Sequence, residues 1–298
     1  MFGKKIDKEK IKTWFVTGAS SGVGYRICIE LLNRGYNVIA VSRRIPNIDH
    51  NNALCLSVDV TNPESIANAV KQGIEHFGRI DVLSNNAGIS AAITLEEENI
   101  NNMRSIMETN FLGTFNTIHA LISHFRKNKN GTIINNTSMH GLSLRALGAA
   151  YCSSKYAVEG LTAVCWHETK SFCRVMAFEL GVFSNTDVAK TAKIKKTEIE
   201  EYKNLNNFYK KILYTFNNDL NIAISAIIDQ VEMKELPRRL ILGKDAYLKV
   251  KYEIDYLKKD LRTSKTRALK CAKLRPDIIP VIIEKMKKFL KKVIKNDR

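Results

Sequence analysis

The first 180 residues alternate two kinds of segment, and that alternation leaves the chain few possible folds. TWFVTGA, NVIAVSR, ALCLSVDV, IDVLSNNAG, GTIINNTS and CRVMAFEL are short, apolar or β-branched, and closed by turn-forming residues. Helical patterns lie between them, over Val23–Leu32, Glu64–Phe77, Met103–Phe125 and Tyr151–Thr169. Asn62 is placed to cap the second of these, with Pro63 at its first helical position. Near-continuous apolar strands separated by helices predict an α/β fold, a parallel sheet covered on both faces.

Beyond about Thr186 the pattern loosens. A polar stretch up to Lys211 predicts one or two exposed helices. DLNIAISAIIDQVE then reads as a helix, RRLILG as a strand, and DAYLKVKYEIDYLKKDLRTSKTRALK as a long amphipathic helix. A last helix is expected from Pro280 to about Lys295. We expect one domain over 1–270, with a substrate-loop region about 182–220, and a basic amphipathic tail over 271–298.

Bulk properties exclude several classes. Of the 298 residues, 45% are hydrophobic, enough for a sizeable core and too many for a mostly disordered chain. No apolar run reaches the length of a transmembrane helix, and the start lacks the apolar centre of a secretory signal. The six cysteines form no C-x-x-C pair and no zinc spacing, so they read as small core residues of a reducing, cytoplasmic setting. No metal ligand set is present. The net charge of +17 is uneven, since residues 251–298 hold 16 Lys/Arg against 6 Asp/Glu. In the tail, Ile282, Ile283, Met286, Phe289, Leu290 and Val293 alternate with lysines. Such a helix either packs on the protein or a partner, or lies on an anionic membrane surface. No aromatic platform or reading motif supports nucleic-acid binding.

The first strand ends in TGASSGVG. Gly18, Gly22 and Gly24 there permit a tight turn, and the helix N-terminus that follows offers N–H groups to a phosphate. A dinucleotide site is the expectation. An acidic residue after the second strand would suit a ribose 2′-hydroxyl, but the chain reads Ser42-Arg43-Arg44. Arginine suits a 2′-phosphate, which favours NADP(H) over NAD(H).

YCSSKYAVEG places Tyr151 and Lys155 four residues apart, on one helix face. A tyrosine ordinarily loses its proton near pH 10, and a neighbouring ammonium favours the phenolate. Tyr156 lies about 100° round the helix from Lys155 and cannot share that face. His140, two residues beyond Ser138, raises a nucleophilic dyad that no third orienting group supports; it reads better as lining a pocket or the surface.

Taken in order and spacing, these stretches resemble the short-chain dehydrogenase/reductase family over about Lys12 to Thr186. TGASSGVG resembles its cofactor loop, Asp59-Val60 its adenine-contacting pair, and Asn85–Gly88 its motif after the fourth strand. Asn110 matches its active-site asparagine, Ser138 precedes Tyr151 by the family's 13 residues, and Tyr151 with Lys155 matches YxxxK. The resemblance implies a Rossmann-type doubly wound sheet with a helical C-terminal extension. It implies hydride transfer between a nicotinamide and a carbonyl or secondary alcohol; separately, contact of the basic tail with membrane would favour a lipophilic substrate. Asn110, Ser138, Tyr151 and Lys155 are the implied catalytic set. Gly18, Ser20, Ser21, Gly22, Val23, Gly24, Arg43, Asp59, Val60, Asn86, Ala87, Gly88, Tyr151, Lys155, Gly181 and Val182 are the implied cofactor residues. It further implies that Lys155 holds the nicotinamide ribose and Asn110 a relay water, and that the protein is a homo-dimer or homo-tetramer. Two departures stand out. Leu180-Gly181 replaces the family's Pro-Gly, and HETKSFCRV lacks a usual glycine. A second reading is a non-catalytic NADP(H)-binding sensor or scaffold.

Overall fold

The computed structural model describes residues 12–183, 193–213, 218–271, 280–281 and 283–288. The chain divides into two compact units, Met1–Lys251 and Tyr252–Arg298.

The first unit is built on a seven-stranded sheet in the order β3-β2-β1-β4-β6-β7-β9. The strands are β1 (Thr13–Thr17), β2 (Asn37–Ser42), β3 (Ala53–Ser57), β4 (Val82–Asn85), β6 (Thr132–Asn136), β7 (Arg174–Leu180) and β9 (Arg239–Leu242). Every pair in the sheet is parallel. The alternation read from the sequence therefore builds the expected Rossmann-type sheet, with helices on both faces.

Two apolar layers follow from the two-residue period of the strands. Trp14, Val16, Val38, Ala40, Ile134, Met176 and Phe178 face one side. They pack with Ile27, Cys28 and Leu31 of α1 (Gly22–Asn33), and with a helix near the C-terminal side described below. Phe15, Ile39, Val41, Leu83, Ile133 and Val175 face the other side. There they meet Ile66, Ala69 and Val70 of α2 (Pro63–Phe77) and three later helix residues, Ile118, Leu121 and Phe125. Each large apolar side chain so buried contributes roughly 1.5–3 kcal/mol. Asn62 caps α2 as expected, accepting from the Glu64 and Ser65 amides at 3.0 and 3.2 Å.

The helix expected over Met103–Phe125 is in fact three pieces. α3 (Ile100–Met107) passes into a π-turn, Glu108–Leu112, before α4 (Gly113–Asn128) begins. α5 runs over Ala149–Thr169, starting two residues ahead of Tyr151. Two very short strands, β5 (Ala91–Ala92) and β8 (Lys193–Ile194), pair with each other; two-residue strands carry no legible period, and sequence reading missed them.

The polar stretch forms one described helix, α6 (Glu200–Leu213). Next comes α7 (Leu220–Glu232), the C-terminal-side helix of the first layer, which buries Ala223, Ile224, Ile227, Ile228 and Val231. Asp219 caps it, accepting from the Asn221 amide at 2.8 Å. α8 (Lys244–Lys270) starts in the first unit and supplies the first part of the second. In the tail, residues 280–281 and 283–288 are helical, and Glu284 pairs with Lys288 at 3.0 Å. Ile282, Phe289, Leu290 and Val293 lie outside the described residues. Among the described residues, no helix is long and apolar enough to cross a membrane.

The cysteines are free. Burial pushes the Cys165 thiol up to about 11 and that of Cys173 to about 12, so neither forms a thiolate near neutral pH.

Candidate active site

The strand order changes direction between β1 and β4, so the loops leaving their C-terminal ends line a crevice. Gly18 lies in that corner with φ of +67°, and a Cβ there would sit 2.8 Å from the Ala87 amide nitrogen. A Cβ on Gly24 would fall 2.5 Å from the Gly18 carbonyl oxygen. Glycine is thus required at both places for the β1 loop, the α1 terminus and the Asn86–Gly88 loop to close on one another. The loop is pinned through Thr17, whose Oγ1 accepts from the Asn86 and Ala87 amides at 2.9 and 3.1 Å.

Several features of this corner fit a dinucleotide. Ser21 precedes α1 without capping it through its side chain, and the first turn holds no acidic residue. Those first-turn N–H groups are suited to a phosphate. Asn86 Oδ1 is buried and has no hydrogen-bond partner, the kind of acceptor a ribose hydroxyl would satisfy. Arg43 is exposed at the end of β2, and its guanidinium has no protein partner among the described residues. Asp59 Oδ1 accepts from the Thr61 amide at 2.9 Å, which orders the turn carrying Val60. Gly113 is the close-approach point there, since a Cβ on it would lie 2.6 Å from Val60 Cγ2. A bound dinucleotide would be held by the loop at 18–24, by 59–60 and by 86–88, and its chemistry would be hydride exchange.

The candidate catalytic residues gather beside this corner. Asn110 is 1% exposed, turned inward by the π-turn. Its Oδ1 accepts from the Ile89 amide at 2.8 Å. Its Nδ2 donates to the Ile89 carbonyl at 3.0 Å and to Ser154 Oγ at 2.9 Å. Ser154 Oγ in turn donates to the Tyr151 carbonyl at 2.7 Å. Both amide hydrogens of Asn110 are therefore used within the protein, so a relay water would have to meet its oxygens.

Lys155 is buried, and its Nζ donates to the Asn136 carbonyl at 2.8 Å, at the end of β6. That nitrogen lies 5.8 Å from the centre of the Tyr151 ring. A Cβ on Gly88 would be 3.8 Å from it and 3.3 Å from Asn110 Oδ1, so the cofactor corner and the lysine adjoin. Burial lowers the Lys155 pKa to about 8, opposed by the negative charge of Glu159 one turn along.

Ser138 leads the 3₁₀ turn Met139–Gly141, and its Oγ accepts from the His140 backbone amide at 3.1 Å. The serine is bonded to the backbone of His140, not to its imidazole, so no dyad forms. The turn lies against α5, since a Cβ on Gly141 would be 3.1 Å from the Lys155 carbonyl oxygen. Tyr156 is 41% exposed, off the catalytic face as expected.

After β7 the chain turns through Gly181, where a Cβ would strike Asp245 Oδ1 at 2.2 Å. Asp245 Oδ2 accepts from the Val182 amide at 2.7 Å. Leu180 pairs with Leu242 in register and is buried. The turn that the family closes with proline is held here by the carboxylate of Asp245. Sequence reading missed Asp245 and also Arg145, whose guanidinium carbon stands 5.0 Å from the Tyr151 ring centre. A lone arginine within LSLRALG carries no pattern that would mark it.

The family model described as short chain dehydrogenase matches residues 12–197. This chain belongs to that family. It is accordingly an NAD(P)-dependent oxidoreductase. Oxidoreductase BOA17 of Botryotinia fuckeliana is 31% identical over 248 residues, covering 79% of this chain and 90% of that one. A short-chain dehydrogenase from Streptomyces avermitilis superposes with a TM-score of 0.82 at 27% identity, covering 88% of this chain and all of that one. ElxO, solved with NADP bound, superposes with a TM-score of 0.66 at 25% identity, covering 78% of this chain and 97% of that one.

Proposed function

We propose that this short-chain dehydrogenase is NADP(H)-dependent and acts on a carbonyl/secondary-alcohol pair, with Tyr151 as the proton donor and acceptor. The observation that carries the reading is the Asn110–Ser154–Tyr151 chain of hydrogen bonds, with the Lys155 ammonium 5.8 Å from the Tyr151 ring. A bound nicotinamide would supply or take the hydride. Tyr151 Oη gives its proton to the substrate oxygen on reduction and takes one on oxidation. Ser138 Oγ donates to the same oxygen and steadies its developing charge. Lys155 stabilises the phenolate and would hold the nicotinamide ribose. Asn110 is a positioning residue that holds α5 against the Ile89 loop.

The exposed Arg43 side chain at the end of β2 supports NADP(H), through charge-assisted hydrogen bonds to a 2′-phosphate. The exposed apolar residues Phe115 of α4 and Tyr156 and Val164 of α5 support self-association, which sedimentation would measure. Contact of the basic tail with an anionic membrane is a further part of the proposal. Equal liposome partitioning of the full chain and one ending near Lys270 would remove it.

A carbonyl panel followed by NADPH absorbance tests the enzyme reading. Tyr151→Phe should abolish turnover while NADPH fluorescence titration still reports binding. Unchanged activity in that variant would refute the role of Tyr151. Binding without turnover in the wild type would favour the non-catalytic alternative. Arg43→Ala should weaken NADPH more than NADH.

A further inference from the structure

α8 carries an exposed apolar seam. From Ile254, the residues Leu257, Leu261, Ser264, Ala268 and Cys271 follow at alternating steps of three and four. That is the a/d period of a coiled coil, and Ile at a with Leu at d favours two parallel strands. Ile254, Leu257 and Leu261 are 45%, 61% and 74% exposed. The smaller Ser264, Ala268 and Cys271 are exposed as well. Val250, the seam position before Ile254, is instead buried beside Met139 and Ala246 in the first unit, so the seam is open only from Ile254. The helical backbone reaches its far end, since the Cys271 amide donates to the Arg267 carbonyl at 3.2 Å. Tyr252 and Tyr256 stand at outer positions, their ring centres 5.1 Å apart, and obscure the period in the sequence.

The charges flanking the seam differ in sign. Its e side holds Lys251, Lys258 and Lys265, and its g side holds Glu253 and Asp260, then Arg267. In a parallel pair each g residue meets the e residue five places on in the other chain. Glu253 thus meets Lys258 of the second copy, and Asp260 meets its Lys265. Arg267 has an alanine five places on, so no like charge opposes it. An antiparallel pair would set the lysine row against itself. An anionic lipid surface would meet Glu253 and Asp260 along one flank, whereas a surface-lying helix carries lysines there. Lys258 also pairs with Asp255 along its own helix at 3.2 Å, an exposed bond. An ammonium has three donors and can serve both carboxylates.

We propose that the α8 seam from Ile254 to Cys271 is a self-association surface, and that its occupant is the same seam of a second copy, parallel and in register. This interface is separate from the exposed residues of α4 and α5, and it does not depend on the oxidoreductase reading.

Sedimentation of the full chain over a range of concentrations tests it. Leu257→Asp combined with Leu261→Asp should halve the mass of the assembly, whatever other faces contribute, with the thermal melt of the first unit unchanged. Glu253→Lys and Lys258→Glu should each weaken association by roughly tenfold, as two symmetry-related pairs turned repulsive imply. The two together should restore it. Residues five apart do not share a helix face, so that rescue reads the contact between chains. A short bismaleimide should join Cys271 of one copy to Cys271 of the other, and Cys271→Ser should abolish the product. A monomer at every concentration, an assembly untouched by the paired leucine change, a charge swap without rescue, or association without the Cys271 product each overturns the proposal. Anionic phosphatidylglycerol vesicles supply the remaining arm. Vesicle binding lost in the leucine variant while the assembly is unchanged gives the face to lipid and overturns the second copy. No readout involves turnover, so failure here leaves the enzyme reading standing.

Discussion

Asn110 Nδ2 donates to Ser154 Oγ at 2.9 Å, tying the π-turn between α3 and α4 to the helix that bears Tyr151. The bond is buried at both ends. It links a residue placed by one helical defect to a hydroxyl three residues from the candidate acid.

Replacing Asn110 by leucine should therefore act on both stability and chemistry. The half-buried Ile89 amide and carbonyl lose their partners, at up to about 1–3 kcal/mol for each group left unpaired. We expect a lower urea midpoint with an unchanged slope, and a fall in kcat larger than any change in NADPH affinity. Asn110→Asp restores an acceptor for the Ile89 amide but neither donor, so it should recover only part of the stability.

Two glycines should respond in opposite directions. Gly18→Ala puts a Cβ 2.8 Å from a backbone nitrogen at a φ of +67°, so it should destabilise by about 2–3 kcal/mol and weaken dinucleotide binding. Gly160 lies inside α5 with open space around its missing Cβ. Gly160→Ala should stabilise by about 0.5–1 kcal/mol. Thermal melts of the two variants check both signs.

Lys155 should leave a mark on the pH dependence of the cofactor-free protein. Its folded pKa is about 8, below the ordinary 10.5. Between those values the unfolded chain holds the proton and the folded one does not, so stability rises with pH across that window. The same stability is lost as pH falls through about 8. The span corresponds to a contribution on the order of 3 kcal/mol. Lys155→Met should remove this rise. A parallel pair of melting-temperature curves from pH 7.5 to 10.5 would contradict it.

Glu179 should show the opposite slope. It is wholly buried on β7, 3.8 Å from Arg239, a cation it shares with Glu159. Burial and then the Glu159 charge raise its pKa. The folded state thus keeps a proton that the unfolded state loses above about pH 4.5, and stability falls as pH rises toward the raised value. Glu179→Gln keeps the shape and the neutral form. It should flatten the decline between pH 5 and 9 while matching the wild type at pH 5.

Much of this molecule could be read locally. The two-residue and 3.6-residue periods marked six of the seven sheet strands and their helices, and RRLILG marked the seventh. The positions of Gly18, Asn110, Ser138, Tyr151 and Lys155 were legible because their spacing along the chain is itself a pattern. The break at Glu108–Leu112 was not, because a single five-residue π-turn is too short to show its wider winding against the apolar period of the helices on either side.

What the sequence by itself determined is the layered parallel sheet and the neighbourhood of the dinucleotide corner, since both depend on periodicity and on glycines at a strand–helix junction. Only the tertiary structure decided which charges meet. Arg145 is brought to the Tyr151 ring by Ser90 and Ala91, 55 and 54 residues away in sequence. Asp245 reaches the turn after β7 from 63 residues on. Glu159 and Glu179 share Arg239 because α5, β7 and β9 pack together. Charge pairing and desolvation act through space, and a linear string of residues carries no record of which of its ions will be buried side by side.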